Sequence, residues 1–497
     1  MKKLLSNSYK VIAYFAIIVV LLLINYTHIF NASIIKNIVF IIVGLVIATV
    51  INIFVIDKLK DKTINIIIVS LIGLLMVLGI ASVFYFRVEY NWDFGWVMKS
   101  AKEIATTGTT QNQYYFKMFP NNWGVLIITT LSMIMTNGHE LGAYIINIIF
   151  ILLAGIFATL LAKKIGGNKL ALNTILLIIG CAPLYLYAPI VYTDTMAVTF
   201  PVMTLYFWLN SNEYKEKSKK RYYANICMMI VSGIIGYCIK PVAGIVLVAI
   251  IIDEIFTNLN KETLKKLCIT VLLSMLLIGS FNMIGEKVII KDKKKNDLEM
   301  PMTHWIMMGL SLPESEGGTS IGYGGYSQKD ADYTSESGNY KEKKKANILK
   351  IKERLKEFKV NGYIKFLFNK FNYVWNDGSY YVLNVIGWDT INKTSLPYKI
   401  IIDYEHNEKF VHYMNYFNNY LFVAILIGII IELTKKEKEQ GIRILGISIV
   451  GIAMFLLIWE ARSRYIYFLI PVFCILSAYG ILQMSKYIKN KLKKYLT

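Results

Sequence analysis

The sequence predicts an all-α membrane protein, a bundle of about 12 to 13 transmembrane helices. The 497 residues are 55% hydrophobic, with a mean hydropathy of +0.48. Apolar runs of about 20 residues recur, and each is long enough to cross the hydrocarbon core of a bilayer as a helix. Much of the formal net charge of +21 lies in short loops between those runs, where basic residues mark the cytoplasmic side. The charge is therefore a topology signal, and no nucleic-acid motif accompanies it.

Basic loops set the direction of the crossings. The N-terminal lysines place the N-terminus inside, and the stretches 162–169 and 211–221 are basic too. The chain between 122 and 162 must therefore cross an odd number of times. Its first apolar segment, 122–136, is short for a full crossing. We interpret it as a half-buried or broken helix, which gives about 12 spans, whereas a full crossing there would give about 13.

The order of apolar and polar segments divides the chain into five predicted regions. They are the N-terminal transmembrane helices (1–86), an outer loop with an interfacial helix (87–121), a transmembrane bundle (122–285), an extracellular region (286–416), and C-terminal transmembrane helices with a cytoplasmic basic tail (417–497).

The outer loop carries the first candidate for chemistry. It holds two carboxylates, Glu89 and Asp93, beside Trp92. The residues after Asp93 have the spacing of a short amphipathic helix that Gly108 ends. A carboxylate at a membrane face among aromatic rings suits acid–base catalysis or metal binding. The structural alternative is that Asp93 only caps the helix.

Other ionisable residues are predicted to collect at the same outer face. Lys240 stands before Pro241, which breaks a helix, and a glutamate and two arginines stand in the turn EARSRY. Arginine and lysine near a membrane bind phosphate well, although side chains at span ends often only anchor the helix. The candidates for substrate binding are Asp194, Lys240, Arg462, Arg464, Trp92 and His304.

The late polar region is too long to be a plain loop. Its first part, 301–333, is rich in Gly, Ser, Tyr and acidic residues and predicts an ordered lid or a flexible flap. Its second part, 341–370, is strongly basic with apolar residues at near-helical spacing. That pattern predicts a basic amphipathic helix on the outer leaflet, or a solvated charged helix with a small core face.

The five cysteines all fall in or beside apolar segments, and none has a CxxC partner. The histidines are scattered. The sequence therefore indicates neither a disulfide framework nor a zinc site.

Four motifs together resemble the GT-C superfamily of integral-membrane glycosyltransferases, in particular protein O-mannosyltransferases and lipid A aminoarabinose transferases. They are Trp92-Asp93-Phe94 in the first outer loop, FPNNWG before the short apolar segment, Tyr192-Thr193-Asp194 followed by Lys240-Pro241, and RYIYFLIP in the last span. The resemblance covers about 85–260 and 440–485. FPNN replaces the usual double proline, two extra spans precede the loop, and 286–416 holds no motif of the superfamily.

The resemblance implies an inverting transfer of a sugar from a polyprenyl-phosphate carrier. By position, Asp93 would deprotonate the acceptor hydroxyl, with Glu89 as the reserve carboxylate. Arg464, together with Arg462 and Lys240, would hold the leaving phosphate, and Asp194 would orient Lys240 or the acceptor. Some relatives use a divalent metal, so the resemblance leaves open whether Mg or Mn takes part.

The composition, rich in Lys, Asn and Ile, favours an AT-rich bacterial genome. In a Gram-positive cell the donor would be an undecaprenyl-phosphate sugar, used at the extracellular face of the plasma membrane. The acceptor would be a teichoic acid or another cell-wall polysaccharide, with a protein or glycolipid as the remaining options.

Three rival functions stay open at this stage. A transporter or flippase of lipid-linked glycans would place polar residues through the bilayer midplane and repeat its spans. A polysaccharide polymerase or ligase would place its essential residues in 286–416. A membrane scaffold would tolerate loss of Asp93, Lys240 and Arg464 alike.

Overall fold

The computed structural model describes residues 2–31, 34–287, 297–313, 322–403 and 405–496. Within these ranges the regular structure is helical, and the β pairing is limited to one isolated bridge between Val88 and Thr390. The α-helices are α1 (Lys2–Asn31), α2 (Ile34–Phe54), α3 (Asp61–Phe86), α4 (Trp92–Thr107), α5 (Gln113–Met118), α6 (Trp123–Ile134), α7 (Leu141–Gly166), α8 (Asn168–Gly180), α9 (Pro183–Leu186), α10 (Thr193–Ala197), α11 (Phe200–Tyr214), α12 (Lys219–Ile239), α13 (Ile245–Asn258), α14 (Lys261–Gly285), α15 (Met302–Met308), α16 (Gln328–Glu336), α17 (Tyr340–Trp375), α18 (Val382–Asp389), α19 (Leu396–Ile401), α20 (Glu408–Thr434), α21 (Gln440–Ile458) and α22 (Ile470–Leu496).

Ten helical segments of the described chain are long and apolar enough to cross a membrane, which confirms the predicted all-α polytopic class. They are Leu5–Thr27, Ile34–Lys58, Asp61–Phe86, Leu141–Gly166, Lys219–Ile239, Pro241–Asn258, Lys261–Gly285, Glu408–Thr434, Gln440–Ile458 and Ser463–Lys494. The remaining apolar segments of the sequence, 122–136, 170–189 and 194–210, fold as shorter helices.

The segment 122–136 forms α6, a helix of 12 residues. At 1.5 Å per residue it measures about 18 Å, less than the hydrocarbon core of a bilayer. Its first turn lies against the end of α12, because a Cβ on Gly124 would overlap the carbonyl of Cys238. The short helix therefore brings the outer loop close to Lys240, which follows α12.

The chain between α8 and α11 is broken into short pieces, and nearly all of its residues from 181 to 199 are buried. Backbone without regular helical hydrogen bonds is tolerated at membrane depth only where protein surrounds it. This buried stretch places Tyr192 immediately before α10 and Asp194 in the first turn of that helix.

The last span is the most enclosed of the ten, with 94% of its apolar window buried. It packs against α20, α8 and α7. A Cβ on Gly480 would overlap the carbonyl of Ala424, so the crossing with α20 depends on small residues. A 3-10 helix, Ser463–Leu469, leads into α22 and carries Arg464 and Tyr465.

The late region packs on the outer loop and on the turn before that 3-10 helix. Met300 donates its N–H to the carbonyl of Met118 (3.0 Å), and Ala461 donates to that of Gly324 (2.8 Å). The basic segment forms α17, which confirms the predicted helix there and bends at Lys359, where φ is 51°. The late region thus borders the outer loop through described residues on both sides.

Candidate functional site

Asp93 lies in the first turn of α4, and that helix ends at Gly108 with a left-handed φ of 78°. The predicted helix after Asp93 and its glycine stop are therefore confirmed. Trp92 begins the helix with φ at 37°, and a Cβ on Gly95 would come within 2.7 Å of the carbonyl carbon of Tyr90. The tight turn at the start of α4 thus depends on a glycine.

Tyrosine hydroxyls hold the Asp93 carboxylate. Tyr115 donates its hydroxyl to Oδ1 (2.8 Å), and Tyr192 donates to Oδ2 (3.2 Å). Asn122 joins the network by donating Nδ2–H to the Tyr115 oxygen (2.6 Å). The helix is capped at Asn91 without a side-chain hydrogen bond, so Asp93 is not the cap of α4. The carboxylate is instead fixed toward the broken segment between α8 and α11.

Arg464 lies over the aromatic rings that border this carboxylate. Its Cζ is 5.0 Å from the centroid of Trp92 and 5.7 Å from that of Tyr192. No described carboxylate lies within ion-pair distance of Arg464, and its buried Nε has no hydrogen-bond partner there. The buried Nε1 of Trp92 is also without a partner. A carboxylate and a guanidinium therefore both contact Tyr192 without pairing with each other.

Lys240 and Asp194 form a buried ion pair beside this cluster. The lysine follows α12 directly, where Pro241 ends the α-helix and starts a 3-10 turn, which confirms the predicted break. Burial lowers the pKa of Lys240, and the adjacent Asp194 carboxylate opposes that effect. The ammonium also lies 4.9 Å from the ring centroid of Tyr465. Lys240 is thus already compensated, unlike Arg464.

Tyr465 connects the two cations. Its ring lies 5.4 Å from the Arg464 guanidinium and 4.9 Å from the Lys240 ammonium. Its hydroxyl donates to Oε1 of Glu460 (2.9 Å), which fixes the ring. Both cations therefore contact a ring whose position Glu460 fixes.

Arg462 lies on the other side of the turn, under the late region. It is 8% exposed, and its Cζ is 5.0 Å from the ring centroid of Tyr381 and 5.9 Å from that of Tyr326. Within the described chain its side chain makes neither an ion pair nor a hydrogen bond, and its Nε is buried.

Two of the predicted site residues stand apart from this cluster. Glu89 is exposed and has no hydrogen bond or ion pair to the described residues. His304 is buried, with Nδ1 2.9 Å from the hydroxyl of Thr334, and burial lowers its pKa to about 4. His304 is therefore neutral at physiological pH. The structure brings together Asp93, Trp92, Asp194, Lys240 and Arg464, with Arg462 on the late-region side.

The sequence analysis did not identify the residues that hold Asp93 in place. Asn122 stands inside FPNNWG and Tyr192 inside the Tyr-Thr-Asp motif, so both lay in motifs already singled out. Tyr115 and Tyr326 carried no local signal, because only the packing of distant segments brings them to the site.

Within the described ranges no group of three or more His, Cys, Asp or Glu residues is arranged to hold a metal ion. The polar partners of Asp93 are tyrosine hydroxyls. These residues do not form a divalent-metal shell, and the steps below use the protein's own groups.

These features define a polytopic integral membrane protein with a buried polar site built from its outer loop, its broken helices and its last span. The chain belongs to the family described as "Conserved hypothetical integral membrane protein", which matches residues 9–485. No curated protein matches the sequence.

The chain is similar to two solved membrane proteins. One is ArnT from Cupriavidus metallidurans bound to undecaprenyl phosphate, at 12% identity over 84% of this chain and 77% of that one, with a TM-score of 0.40. The other is the archaeal oligosaccharyltransferase AglB from Archaeoglobus fulgidus, in complex with an inhibitory peptide and a dolichol-phosphate. It is 13% identical over 86% of this chain and 51% of that one, with a TM-score of 0.43. Similarity at this level carries no residue roles, so the proposals below use this chain's own geometry.

Proposed function

We propose that this protein is a membrane glycosyltransferase that moves a sugar from a polyprenyl-phosphate donor, undecaprenyl phosphate in a bacterium, to an extracytoplasmic acceptor. The observation that carries the proposal is that the Asp93 carboxylate and the Arg464 guanidinium both contact Tyr192 without forming an ion pair with each other. A carboxylate and a guanidinium kept apart in this way suit a reaction that needs a base at one atom and a stabiliser of negative charge at another.

Asp93 acts as the general base. The two tyrosine hydroxyls hold both carboxylate oxygens in place, so the orientation of the base does not depend on the substrate. Asp93 takes the proton of the acceptor hydroxyl as its oxygen bonds to the anomeric carbon of the sugar. Bases of this kind contribute roughly 10²–10⁴-fold to the rate. The attack comes from the face opposite the phosphate and inverts the anomeric centre.

Arg464 stabilises the leaving phosphate. The bond between the anomeric carbon and the phosphate oxygen breaks with both electrons going to oxygen, so negative charge develops on the phosphate. A guanidinium without a carboxylate partner keeps its N–H groups available for that oxygen, and the Nε1–H of Trp92 is available beside it. Lys240 is paired with Asp194. It acts chiefly by contacting the ring of Tyr465, which the Arg464 guanidinium also contacts.

The acceptor is an anionic cell-wall polymer such as a teichoic acid, or another wall polysaccharide, at the outer face of a Gram-positive plasma membrane. Exposed lysines of α17 support this assignment through charge complementarity. Replacing Lys344, Lys345 and Lys352 with Gln should lower transfer to a polyanionic acceptor more than transfer to a neutral one. Unchanged transfer to both would refute the assignment. Matched control substitutions fall on three exposed lysines where α2 joins α3: Lys58 and Lys60 before α3, and Lys62 in its first turn.

The test of the function is sugar transfer from a radiolabelled undecaprenyl-phosphate sugar to a crude wall-polymer acceptor by the purified protein in detergent. Wild type should transfer, and Asp93→Asn should lose activity by about 10²-fold or more while remaining folded. Glu437→Gln, an exposed carboxylate between α20 and α21, is the matched control. Activity that survives Asp93→Asn would move the base to Glu89 or the late region. Absence of transfer with any donor, in protein that binds the lipid, would favour a transporter.

A further inference from the structure

Arg462 is a buried cation that the proposed reaction does not fully use. It is 8% exposed, and its side chain has neither an ion pair nor a hydrogen bond within the described chain. Removing a charge from water costs free energy unless a partner or ligand compensates it. The neighbouring rings of Tyr326 and Tyr381 offer only their faces to the guanidinium. The Arg462 guanidinium therefore has N–H donors without acceptors, which indicates a site for an anionic ligand.

Two carboxylates in this part of the site, Glu460 and Asp377, already have other partners. Glu460 accepts the hydroxyl of Tyr465 (2.9 Å). Asp377 accepts the N–H of Tyr381 (2.7 Å) and the hydroxyl of Ser463 (2.6 Å). Neither carboxylate is within ion-pair distance of Arg462, so an internal salt bridge does not explain why the arginine is buried here.

A second unpaired donor accompanies the guanidinium. The hydroxyl of Tyr373, on α17, is buried without a hydrogen-bond partner, and Tyr373 lies within electrostatic range of Arg462. Its ring is packed against Gly322, where an added Cβ would come within 2.4 Å of the ring. Two orphaned donors in one enclosed place suit oxygen atoms of an anion better than a neutral apolar group.

The loop that carries the Tyr381 ring beside Arg462 has a strained backbone. Tyr380 and Tyr381 have positive φ values of 51° and 67°. Residues with side chains rarely adopt that conformation, and the surrounding structure must fix it. Here Asp377 accepts the N–H of Tyr381 (2.7 Å), and Tyr187 donates its hydroxyl to the carbonyl of Tyr380 (2.9 Å). The loop that carries the ring beside Arg462 is thus held by one hydrogen bond within the loop and one from Tyr187.

Arg462 and Arg464 have separate surroundings. Arg464 lies with Trp92, Tyr192 and Tyr465, next to Asp93. The rings around Arg462 belong to the late region, and Tyr326 lies within electrostatic range of both Arg462 and Asp93. The late-region side of the site is therefore adjacent to the reacting groups, and the two arginines contact different rings.

We propose that Arg462, with the hydroxyl of Tyr373, forms a second phosphate-binding subsite under the late region, distinct from the place where Arg464 holds the leaving phosphate. This inference rests on the proposed function. The bound phosphate comes from one of two sources: the second phosphate of a lipid diphosphate donor, or a phosphodiester of the acceptor polymer. In either case the protein selects a substrate that carries a phosphate in addition to the one at the breaking bond.

The test measures dissociation constants on the purified full-length protein in detergent with three probes. They are undecaprenyl phosphate, undecaprenyl diphosphate, and a glycerol-phosphate trimer added to protein saturated with undecaprenyl phosphate. The variants are Arg462→Gln, Arg462→Lys and Arg464→Gln. Unliganded thermal unfolding of each variant checks that it is folded. Arg462→Lys keeps the charge and loses the planar fork, so it serves if Arg462→Gln is unstable.

Arg462→Gln should weaken either the diphosphate or the trimer at least about tenfold more than it weakens undecaprenyl phosphate. Selective loss of diphosphate binding assigns the second phosphate to the donor, and selective loss of trimer binding assigns it to the acceptor. Arg464→Gln should weaken both lipids together. Equal weakening of all three probes by Arg462→Gln, or no change in any, would overturn the second subsite. Failure of wild type to bind undecaprenyl phosphate would instead overturn the proposed function.

Discussion

Replacing Asp194 is expected to destabilise the protein, because Lys240 would remain buried without its counter-ion. Asp194 and Lys240 are an ion pair with side-chain exposures of 4% and 10%. Removing one partner of a buried pair costs about 3–5 kcal/mol, because the other charge remains buried and uncompensated. Asp194→Asn should therefore lower the unfolding temperature clearly. Release of the lysine proton would limit the loss, since each unit of pKa change corresponds to about 1.4 kcal/mol.

The double substitution separates the charge from the shape of the site. Asp194→Asn combined with Lys240→Met removes both charges and keeps an apolar stem beside Tyr465. Replacing a buried ion pair by groups of similar volume is often neutral or stabilising, so the double variant should recover most of the stability lost by Asp194→Asn. Sugar transfer should remain low in both variants, because the ammonium that lies 4.9 Å from the Tyr465 ring is displaced in one and absent in the other.

The assay is thermal unfolding in one detergent, with transfer measured on the folded fraction of each variant. Glu353→Gln is the control, since its pair with Lys350 is half-exposed and worth about 0–1 kcal/mol. The order expected for unfolding temperature is wild type, then the double variant, then Asp194→Asn. A double variant no more stable than Asp194→Asn would refute the reasoning, because it would show that Lys240 is not left as an uncompensated charge.

Further predictions concern helix packing, a second buried pair and pH. Gly480→Ala should destabilise the last span, whereas Gly279→Ala should not, because nothing lies within 4 Å of a Cβ added at Gly279. Equal unfolding temperatures of the two variants would contradict this. Arg443→Met should cost about 3–5 kcal/mol in thermal unfolding, because Asp253 would stay buried with its hydrogen bonds from Tyr9 and Gln440 but without a cation, and a loss below about 1 kcal/mol would be inconsistent with this. His304 has a folded pKa of about 4 against an ordinary 6.5, so the unfolded chain binds more protons between these values. Stability should fall as pH drops from 6.5 to 4, by up to roughly 3 kcal/mol, and His304→Gln should flatten this slope in unfolding scans at several pH values. An unchanged slope would contradict the assignment to His304.

The parts of the site that follow from local sequence could be predicted. An amphipathic pattern with a glycine stop marked α4, and proline after Lys240 marked the end of α12. Both signals act within a few residues, where backbone geometry and periodicity decide the structure. The polytopic class followed from hydropathy for the same reason.

The parts that depend on distant contacts could not be predicted in the same way. Hydropathy counts an apolar segment as a span whether or not it is broken, so the buried stretch between α8 and α11 had the same signal as a crossing. Glu89 was expected at the site beside Asp93. Its neighbour Val88 is buried and pairs with Thr390, and successive side chains of extended backbone point to opposite sides, so Glu89 faces outward.

Five cations of the described chain, four of them buried and the fifth, Arg464, half-buried, fall into two groups, and the difference between the groups argues for function. Arg443 and Lys240 each have a carboxylate, and the buried ammonium of Lys370 bonds the carbonyls of Gly309 (2.5 Å) and Leu457 (3.1 Å). These partners compensate the cost of removing charge from water. Arg462 and Arg464 have no such partners among the described residues, and both stand in the same turn before the last span. Ring faces and more distant carboxylates are the only compensation that the described residues give these two guanidiniums, and the phosphate-binding roles proposed above would give each a direct partner.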